Sequence, residues 1–283
     1  MKLNLDIIGK KFGPYLREYD WKDLVLYALG VGSGFNELEY VYEKKLKVLP
    51  SFGVVVVVHE SIINDLMING LGSNPAGFLH MGNELIIHNP IPAKGGTLYT
   101  EAQVTHIYDR GPGKGAQIIV QLDTCDENGL KLFTNISKNL AGLDGGFGGE
   151  KIPRETIVFP DRYPDFEQED LPSPTQPLIY RLLGDTFELH VDPNFARSSG
   201  FERPIMHGLC TFGFACRALI KYLFPGEPER LERMHARFSK PLYPGEPIKT
   251  QIWKNREGKG AFRVLNVKTG KGVLDYGVIE WKS

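Results

Sequence analysis

Apolar and polar residues alternate along much of this chain, and the alternating runs fall into two sets. The first set holds four β-rich runs separated by turn signals rich in Gly, Pro and Asp, at 84–88, 97–108, 116–125 and 131–140. A second set of four runs follows at 233–239, 248–254, 261–268 and 273–281. Each set predicts a small antiparallel sheet.

Helical patterns precede each set of strands, at 21–29 and 50–67 in the first half and at 175–183 and 206–224 in the second. The valines of the segment 50–67 would also suit a strand, so both interpretations of that segment stay open. The helix at 206–224 places small and apolar residues on one face, namely Leu209, Phe212, Gly213, Cys216, Leu219, Ile220 and Leu223. Such a face is typical of a helix that lies across a sheet.

Short strings recur at matching places in the two halves. Residues 113–116 and 258–261 both read Gly-Lys-Gly-Ala, and both open a predicted strand. Pro50 starts the first long helix, and Pro204 precedes the second. Because the repeat appears in element order and in local sequence together, it predicts a tandem duplication. The predicted fold is α+β and is a double hot-dog, in which two tandem units form one continuous antiparallel sheet with long central helices.

The boundary between the units is predicted from composition. Residues 146–172 are rich in Gly, Pro and acidic side chains and show little apolar periodicity, which is typical of a crossing linker. The N-terminal unit is then 1–145 and the C-terminal unit 173–283. The C-terminal unit carries the candidate chemistry described below.

Charge and cysteine content narrow the classes of function. The chain has 283 residues, with 33 basic and 34 acidic side chains, so bulk charge indicates neither a nucleic acid nor a membrane as partner. The three cysteines form no CxxC pair, which favours a reducing, cytoplasmic location. The most apolar run, 54–58, is far short of the ~20 residues that a membrane span needs. No secretory signal pattern is evident at the N-terminus.

Candidate chemistry is concentrated between residues 180 and 217. Asp185 and His190 are five residues apart, which on a continuous helix would separate their side chains by about 140°. Gly184 is a plausible helix end, after which an irregular turn can bring both side chains into one pocket. A carboxylate and an imidazole form a competent acid–base pair near neutral pH and can hold a water between them.

A predicted helix start would supply the second part of a site. Pro204 sets the approach of the chain, and the free backbone N–H groups near His207 and Gly208 point out of the helix N-terminus. They can bind an oxyanion, and one such donor typically contributes roughly 3 kcal/mol to a developing enolate. A glycine at 208 allows a substrate to approach the backbone closely.

These motifs carry a resemblance to a known family. Residues 180–196 read Y-R-L-x-G-D-x-x-x-L-H-x-D-P-N-F-A and residues 200–213 read G-F-x-x-P-I-x-H-G-x-C-T-F-G. Together they resemble the MaoC-like, type 2 (R)-specific enoyl-CoA hydratases, notably the double hot-dog form of peroxisomal multifunctional enzymes. The likeness extends to segments of the first half and covers most of the chain.

The resemblance implies an activity and a set of site residues. The reaction would be reversible hydration of a trans-2-enoyl-CoA to the (3R)-3-hydroxyacyl-CoA, with Asp185 and His190 as the catalytic pair. The Gly208 amide would polarise the thioester carbonyl, and the first unit would hold the acyl chain. Coenzyme A would be the carrier of the substrate, with no metal and no other cofactor. A homodimer is expected.

The chain departs from the family pattern near the pair. The family usually reads D-x-N-P-L-H, and here Phe187 replaces the Asn that helps to hold the water, while Glu188 replaces the Pro. In the first half, the family's Leu-His-Gly-Glu segment reads Leu-His-Met-Gly at 79–82. The acidic residue of that segment is therefore absent, and Glu84 lies two places further along.

Three further residues lie near the candidate pair in sequence. Two are expected to have structural roles, and two roles stay open for the third. Tyr180 is expected to pack rather than to react, and His207 to orient the helix start. Asp192 either caps the turn at Pro193 or supports His190. No spacing typical of metal ligands is evident.

Two other functions remain open from the sequence. One is a non-catalytic acyl-thioester binding protein in which Phe187 closes the water site. The other is a hot-dog acyl-CoA thioesterase, which would also use a carboxylate and a helix N-terminus.

Overall fold

In a computed structural model of the chain, the described residues are 3–58, 60–74, 77–150, 152–153, 159–255 and 258–283. Ten strands within them form one antiparallel sheet. The strands of the first half are β1 Lys11–Tyr19, β2 Phe78–Ile87, β3 Gly96–Asp109, β4 Ala116–Cys125 and β5 Lys131–Ala141. Those of the second half are β6 Phe166–Asp170, β7 Leu231–Phe238, β8 Ile248–Lys254, β9 Lys259–Asn266 and β10 Gly272–Trp281.

The strand order repeats between the halves. The sheet runs β1-β3-β4-β5-β2-β7-β10-β9-β8-β6. Read from its outer edge, the second half has the order β6-β8-β9-β10-β7, which matches β1-β3-β4-β5-β2. The halves join where β2 pairs antiparallel with β7, from Gly82 opposite Arg237 to Ile86 opposite Arg233. The predicted double hot-dog fold is therefore confirmed.

Eight strands overlap the predicted runs, although β2 begins at Phe78 rather than at Glu84, and two strands were missed. Both missed strands, β1 and β6, lie at the edges of the sheet. Edge strands pair on one side only and often carry charged residues, Pro and bulges, so they show little apolar signal. Strand β6 pairs with β8 from Phe166 opposite Ile252 to Asp170 opposite Ile248. Residues 166–170 therefore belong to the second half of the sheet, although they lie inside the predicted linker 146–172.

The helices are α1 Trp21–Gly30, α2 Glu60–Ile62, α3 Gln176–Tyr180, α4 Pro193–Ser198 and α5 Gly208–Leu223. A π-helix, Ile63–Gly70, continues α2, and 3-10 turns occur at Leu5–Ile7, Phe35–Tyr40, Glu43–Lys45, Pro50–Val56, Arg181–Leu183, Glu188–His190 and Pro228–Arg230. Helix α1 begins with a capping box formed by Asp20 and Asp23. No helix among the described residues is long and apolar enough to cross a membrane.

The segment 50–67 is helical in its described part, as one of the two interpretations predicted, but it is broken into a 3-10 turn, α2 and the start of the π-helix. All the residues of Pro50–Val56 are buried. A segment buried on every side has no polar face, which explains why its periodicity was ambiguous. His59 lies outside the described residues.

Helix α5 lies at the centre of a core that both halves share. Twelve of its sixteen residues are buried, so it is covered on more than the face that was predicted. The first half packs closely on it: a Cβ atom at Gly213 would collide with Val31 Cγ1 and would lie 2.9 Å from the Tyr27 hydroxyl. The two units therefore fold around one helix rather than as separate bodies, which brings residues of the first unit to the candidate site.

Candidate active site

A sharp turn after α3 places Asp185 and His190 in one pocket. The 3-10 turn Arg181–Leu183 ends at Gly184, whose φ of +116° lies in the region that favours glycine. The chain then reverses through Asp185 and enters the 3-10 turn Glu188–His190. Asp185 and His190 both line the main cavity. The predicted helix end at Gly184 and the convergence of the two side chains are confirmed by this geometry.

The pair is spaced to hold a water. A carboxylate oxygen of Asp185 and one ring nitrogen each of His190 and His207 all lie within 4.8 Å of one another. Because a hydrogen bond spans about 2.8 Å, one water can bond to two groups at this separation. The Nδ1 atom of His190 lies 2.9 Å from the carbonyl oxygen of Ile205. Donation of the Nδ1 proton to that carbonyl leaves Nε2 free to accept a proton in the cavity.

Burial moves both members of the pair towards their neutral forms. It raises the pKa of Asp185, against the opposing influence of His190, the Phe187 N–H and Arg181. It also lowers the pKa of His190, which the Asp185 carboxylate and the Ile205 carbonyl partly restore. The pKa values of Asp185 and His190 are therefore shifted towards each other, which suits two groups that exchange protons.

His207 contacts both members of the pair. Its ring stacks on that of His190 with centroids 3.7 Å apart, and its Nε2 atom lies 3.4 Å from the carbonyl oxygen of Asp185. Burial holds the pKa of His207 well below its usual value, so the ring is neutral. The sequence predicted only an orienting role at the helix start. The adjacency of His207 to the candidate oxyanion glycine was the one signal that it lies in the site.

Gly208 begins α5 beside the pair and lines the cavity. As the first helical residue, its N–H has no acceptor within the helix and is free to bind a ligand. The ring of Phe238 lies close on the other side: a Cβ atom at position 208 would be 2.7 Å from Phe238 Cδ2. Glycine is therefore required at this position for packing as well as for access to the backbone.

The cavity has a volume of about 660 Å³ and draws its walls from both units. The first unit contributes mainly apolar residues, among them Val57, Ile62, Leu66, Met67, Val120 and Leu122. The second unit contributes the pair, Phe187, Glu188 and Gly208. Lys240 is the cationic residue that the described part of the lining includes. A mostly apolar cavity of this size with a small number of polar groups is typical of a small-molecule site.

Phe187 forms part of the cavity wall. Its ring packs edge-to-face on Phe195, with centroids 5.2 Å apart, and lies 6.3 Å from the His190 ring. Its side chain remains partly exposed. Phe187 therefore supplies an apolar surface to the cavity wall, and the cavity beside Asp185 stays open.

Two predicted supporting residues have structural roles. Asp192 accepts hydrogen bonds from the N–H groups of Asn194 and Phe195 and so caps α4. The other predicted role of Asp192 was to support His190, but Nδ1 of His190 contacts the Ile205 carbonyl instead. Tyr180 is buried with its ring against those of Tyr27 and His207, which matches the packing role that was predicted.

The residues that could hold a metal ion, among those the structure describes, are Asp185, His190 and His207. The sequence did not predict this cluster because its three members do not follow a familiar ligand spacing. The two imidazole planes are only 28° apart in their stack. The cluster offers one carboxylate oxygen and two ring nitrogens that lie within 4.8 Å of one another.

Glu84 does not take the place of the acidic residue missing from the first unit. Its carboxylate lies 2.6 Å from Arg233 Nε across the junction of β2 and β7. Arg233 also binds Glu280 on β10. Glu84 therefore belongs to an ion-pair group that joins the two units.

Comparison with known proteins gives matches over nearly the whole chain. The model of the MFE-2 hydratase 2 N-terminal domain matches residues 17–141, and that of the MaoC like domain matches residues 157–276. A probable enoyl-CoA hydratase 2 of Dictyostelium discoideum is 38% identical, covering 96% of this chain and 94% of the relative. The 3-hydroxyacyl-thioester dehydratase Y of Mycobacterium tuberculosis is 37% identical over 99% of each chain. The crystal structure of a MaoC-like dehydratase from Phytophthora Capsici has a TM-score of 0.89 and 34% identity, covering 99% of this chain and 98% of that one.

Proposed function

Because this chain belongs to the MaoC-like family of type 2 enoyl-CoA hydratases, we propose that it hydrates a trans-2-enoyl-CoA reversibly to the (3R)-3-hydroxyacyl-CoA. It is a hydro-lyase, and the reverse reaction is the dehydration of the hydroxyacyl thioester. The observation that carries the proposal is the meeting of Asp185 and His190 in the wall of a cavity whose lining is mostly apolar.

Asp185 and His190 act as one proton-transferring unit. In hydration, the oxygen of a water held between them forms a bond to the β-carbon of the enoyl group. One proton of that water passes to the pair, and the pair returns one proton to the α-carbon, so the reaction consumes no net proton. His190 is suited to accept a proton because its Nδ1 is held by the Ile205 carbonyl and its ring is neutral.

The Gly208 N–H stabilises the charge that develops on the thioester oxygen. As the β-carbon is attacked, negative charge moves to the carbonyl oxygen of the thioester and forms an enolate. A backbone donor at the N-terminus of α5 faces this oxygen and is favoured there by the helix dipole. Removal of the α-proton in the reverse reaction passes through the same enolate.

A two-channel assay tests this function. Loss of enoyl-thioester absorbance is followed after addition of trans-2-decenoyl-CoA, and free thiol is measured in parallel. We expect absorbance to fall without thiol release and the product to be the 3R enantiomer. Release of thiol would indicate the thioesterase alternative, and tight binding with neither signal would indicate the acyl-thioester binding alternative.

We further propose a homodimer in a reducing compartment such as the cytoplasm, with coenzyme A as the substrate carrier. Three cysteines with free thiols, Cys125, Cys210 and Cys216, support a reducing location. Light scattering on the purified protein tests the dimer, for which the expected mass is about twice the 31.7 kDa of the chain. Fractionation of cells that produce the protein tests the location.

A further inference from the structure

Arg17 of the first unit lies against the turn that carries Asp185. It belongs to β1, where it pairs with Leu98 of β3, and its side chain is half-buried. A Cβ atom at Gly184 would lie 3.1 Å from Nη1 of Arg17. Apart from the chain neighbours of Gly184, that nitrogen is the one described atom within 4 Å of such a Cβ. The guanidinium group therefore packs directly on Gly184, one residue before the proposed catalytic carboxylate.

The Arg17 guanidinium is a cation without a carboxylate partner. Among the described residues it forms no ion pair and no hydrogen bond, and its Nε atom is buried. Burial lowers the pKa of the guanidinium, and Asp23 and Tyr180 partly restore it. A buried charge without a partner costs stability. Such local conflicts are expected at functional sites, which indicates a role for Arg17 other than stabilising the fold.

The described hydrogen bonds within the turn are long. The Gly184 N–H donates to the Arg181 carbonyl at 3.1 Å, and the Thr186 N–H to the Gly184 carbonyl at 3.2 Å. The Arg181 guanidinium donates to the Thr186 carbonyl at 3.3 Å, and the Phe187 N–H to the Asp185 carboxylate at 3.4 Å. All four distances exceed the usual N–H···O separation of about 2.9–3.0 Å. The turn therefore depends on contacts with the rest of the molecule.

Those outside contacts lie on both sides of Gly184. Before it, Leu183 packs on α1, where a Cβ atom at Gly30 would lie 3.6 Å from Leu183 Cδ1. After it, the carbonyl oxygen of Asp185 lies 3.4 Å from Nε2 of His207. Gly184 has no side chain to pack, and glycine has the most conformational freedom of all residues. The guanidinium from β1 therefore lies at the point where the turn is otherwise free to move.

We propose that Arg17 is a positioning residue, whose guanidinium group holds the Gly184 turn so that Asp185 stays opposite His190. This inference rests on the proposed function, because it takes Asp185 and His190 as the catalytic pair. Through Arg17, the first unit fixes the geometry of a turn in the second unit, in addition to forming walls of the cavity. A displacement of about 1 Å at a reacting group can cost about a hundredfold in rate, so a contact outside the cavity can control kcat.

Binding of an anionic part of the substrate is the other role open to a guanidinium group without a partner. The contacts favour positioning, because Arg17 packs on Gly184 and is not among the described residues that line the cavity. The two roles differ in their kinetics. Loss of a positioning contact lowers kcat, whereas loss of a contact that binds the substrate raises KM.

The first test compares Arg17→Met with the wild-type protein in the hydratase assay. Methionine keeps an unbranched side chain but removes the guanidinium group, so kcat should fall about a hundredfold while KM stays within about twofold. Because the change also removes an unpaired charge, Tm should be at least that of the wild type. Wild-type kcat in the folded variant, or a raised KM with an unchanged kcat, would overturn the proposal.

Arg110→Met is the matched control. It is the same change at an exposed arginine of the first unit, outside the described lining of the cavity. Both kcat and KM should stay at their wild-type values. An equal loss of kcat in Arg110→Met and Arg17→Met would show that the effect is not specific to the Gly184 contact, and the proposal would be wrong.

A kinetic cycle shows whether Arg17 acts through Asp185. If it does, adding Arg17→Met to Asp185→Asn should leave the residual kcat of the single Asp185→Asn variant unchanged, because the carboxylate that Arg17 positions is already gone. A further fall of about a hundredfold in the double variant would contradict the proposal, since Arg17 would then act on another group.

Arg17→Lys provides the measurement if Arg17→Met does not fold. Lysine keeps the charge and most of the stem but not the planar fork, so kcat should still fall, by about tenfold. Wild-type kcat in Arg17→Lys together with wild-type kcat in Arg17→Ala would overturn the proposal. An inactive wild-type protein in the hydratase assay would contradict the proposed function, whereas an active wild type with unaffected Arg17 variants contradicts this inference alone.

Discussion

The imidazole rings of His190 and His207 stack with their centroids 3.7 Å apart and their planes 28° apart. Burial lowers the pKa of both rings, and the proximity of His190 lowers that of His207 further. Two stacked imidazolium rings would repel each other, so the arrangement favours at most one positive charge. We therefore propose that His190, whose Nδ1 contacts the Ile205 carbonyl, exchanges the proton, while His207 stays neutral beside it.

The titration of His190 tests this electrostatic account. Because burial disfavours the charged ring, we expect its pKa to lie below the usual 6.5 and the neutral base to persist as the pH falls through that value. Asp185→Asn should lower this pKa further, because the carboxylate is the group that raises it. NMR titration of the imidazole resonances measures both proteins, and a wild-type value above 6.5 would contradict the account.

The packing of Gly208 against Phe238 gives a second prediction. In Gly208→Ala, the new Cβ would lie 2.7 Å from Phe238 Cδ2, so the ring or the start of α5 must move. Since a displacement of about 1 Å can cost about a hundredfold in rate, kcat should fall by about that factor. Phe238→Leu added to Gly208→Ala makes room for the Cβ and should restore part of the activity. If Gly208→Ala alone kept the wild-type kcat, the position of the Gly208 amide would be unimportant for the reaction.

Asp192 provides a matched contrast to Asp185, because both carboxylates are near His190 in sequence and only one lines the cavity. Its carboxylate caps α4, so Asp192→Ala should lower the free energy of unfolding by about 1 kcal/mol. The kcat value should stay within about twofold, because the Ile205 carbonyl orients His190. Urea denaturation and steady-state kinetics measure the two effects. A large loss of kcat without a loss of stability would instead indicate that Asp192 supports His190.

The central strands could be predicted well from the sequence because alternate residues of a strand lie on opposite faces of the sheet. Their apolar and polar positions therefore follow burial directly. Strands β4 and β8 begin and end where the pattern indicates. The edge strands β1 and β6 were missed, since a strand that pairs on one side and faces solvent needs few apolar residues. The broken helical segment after Pro50 was ambiguous for the opposite reason, because it is buried on all sides.

The candidate site could be predicted in part. Gly184 signals the end of a helix, and the turn that joins Asp185 to His190 is local in sequence. The stack of His207 on His190 joins residues that are distant along the chain, and no periodicity encodes such a contact. The orientation of Phe187 depends on its packing against Phe195, and the choice between the two interpretations of Asp192 depended on which backbone N–H groups its carboxylate reaches.

The most direct test of the catalytic assignment is a kinetic cycle on Asp185→Asn, His190→Ala and the double variant, with trans-2-decenoyl-CoA as substrate. Each single variant should lose about a thousandfold or more in kcat, and the double variant should be no worse than the weaker single variant, because the pair acts as one unit. Thermal unfolding should show that all three proteins remain folded. Near-normal turnover by either folded single variant would contradict the claim that this pair carries the reaction.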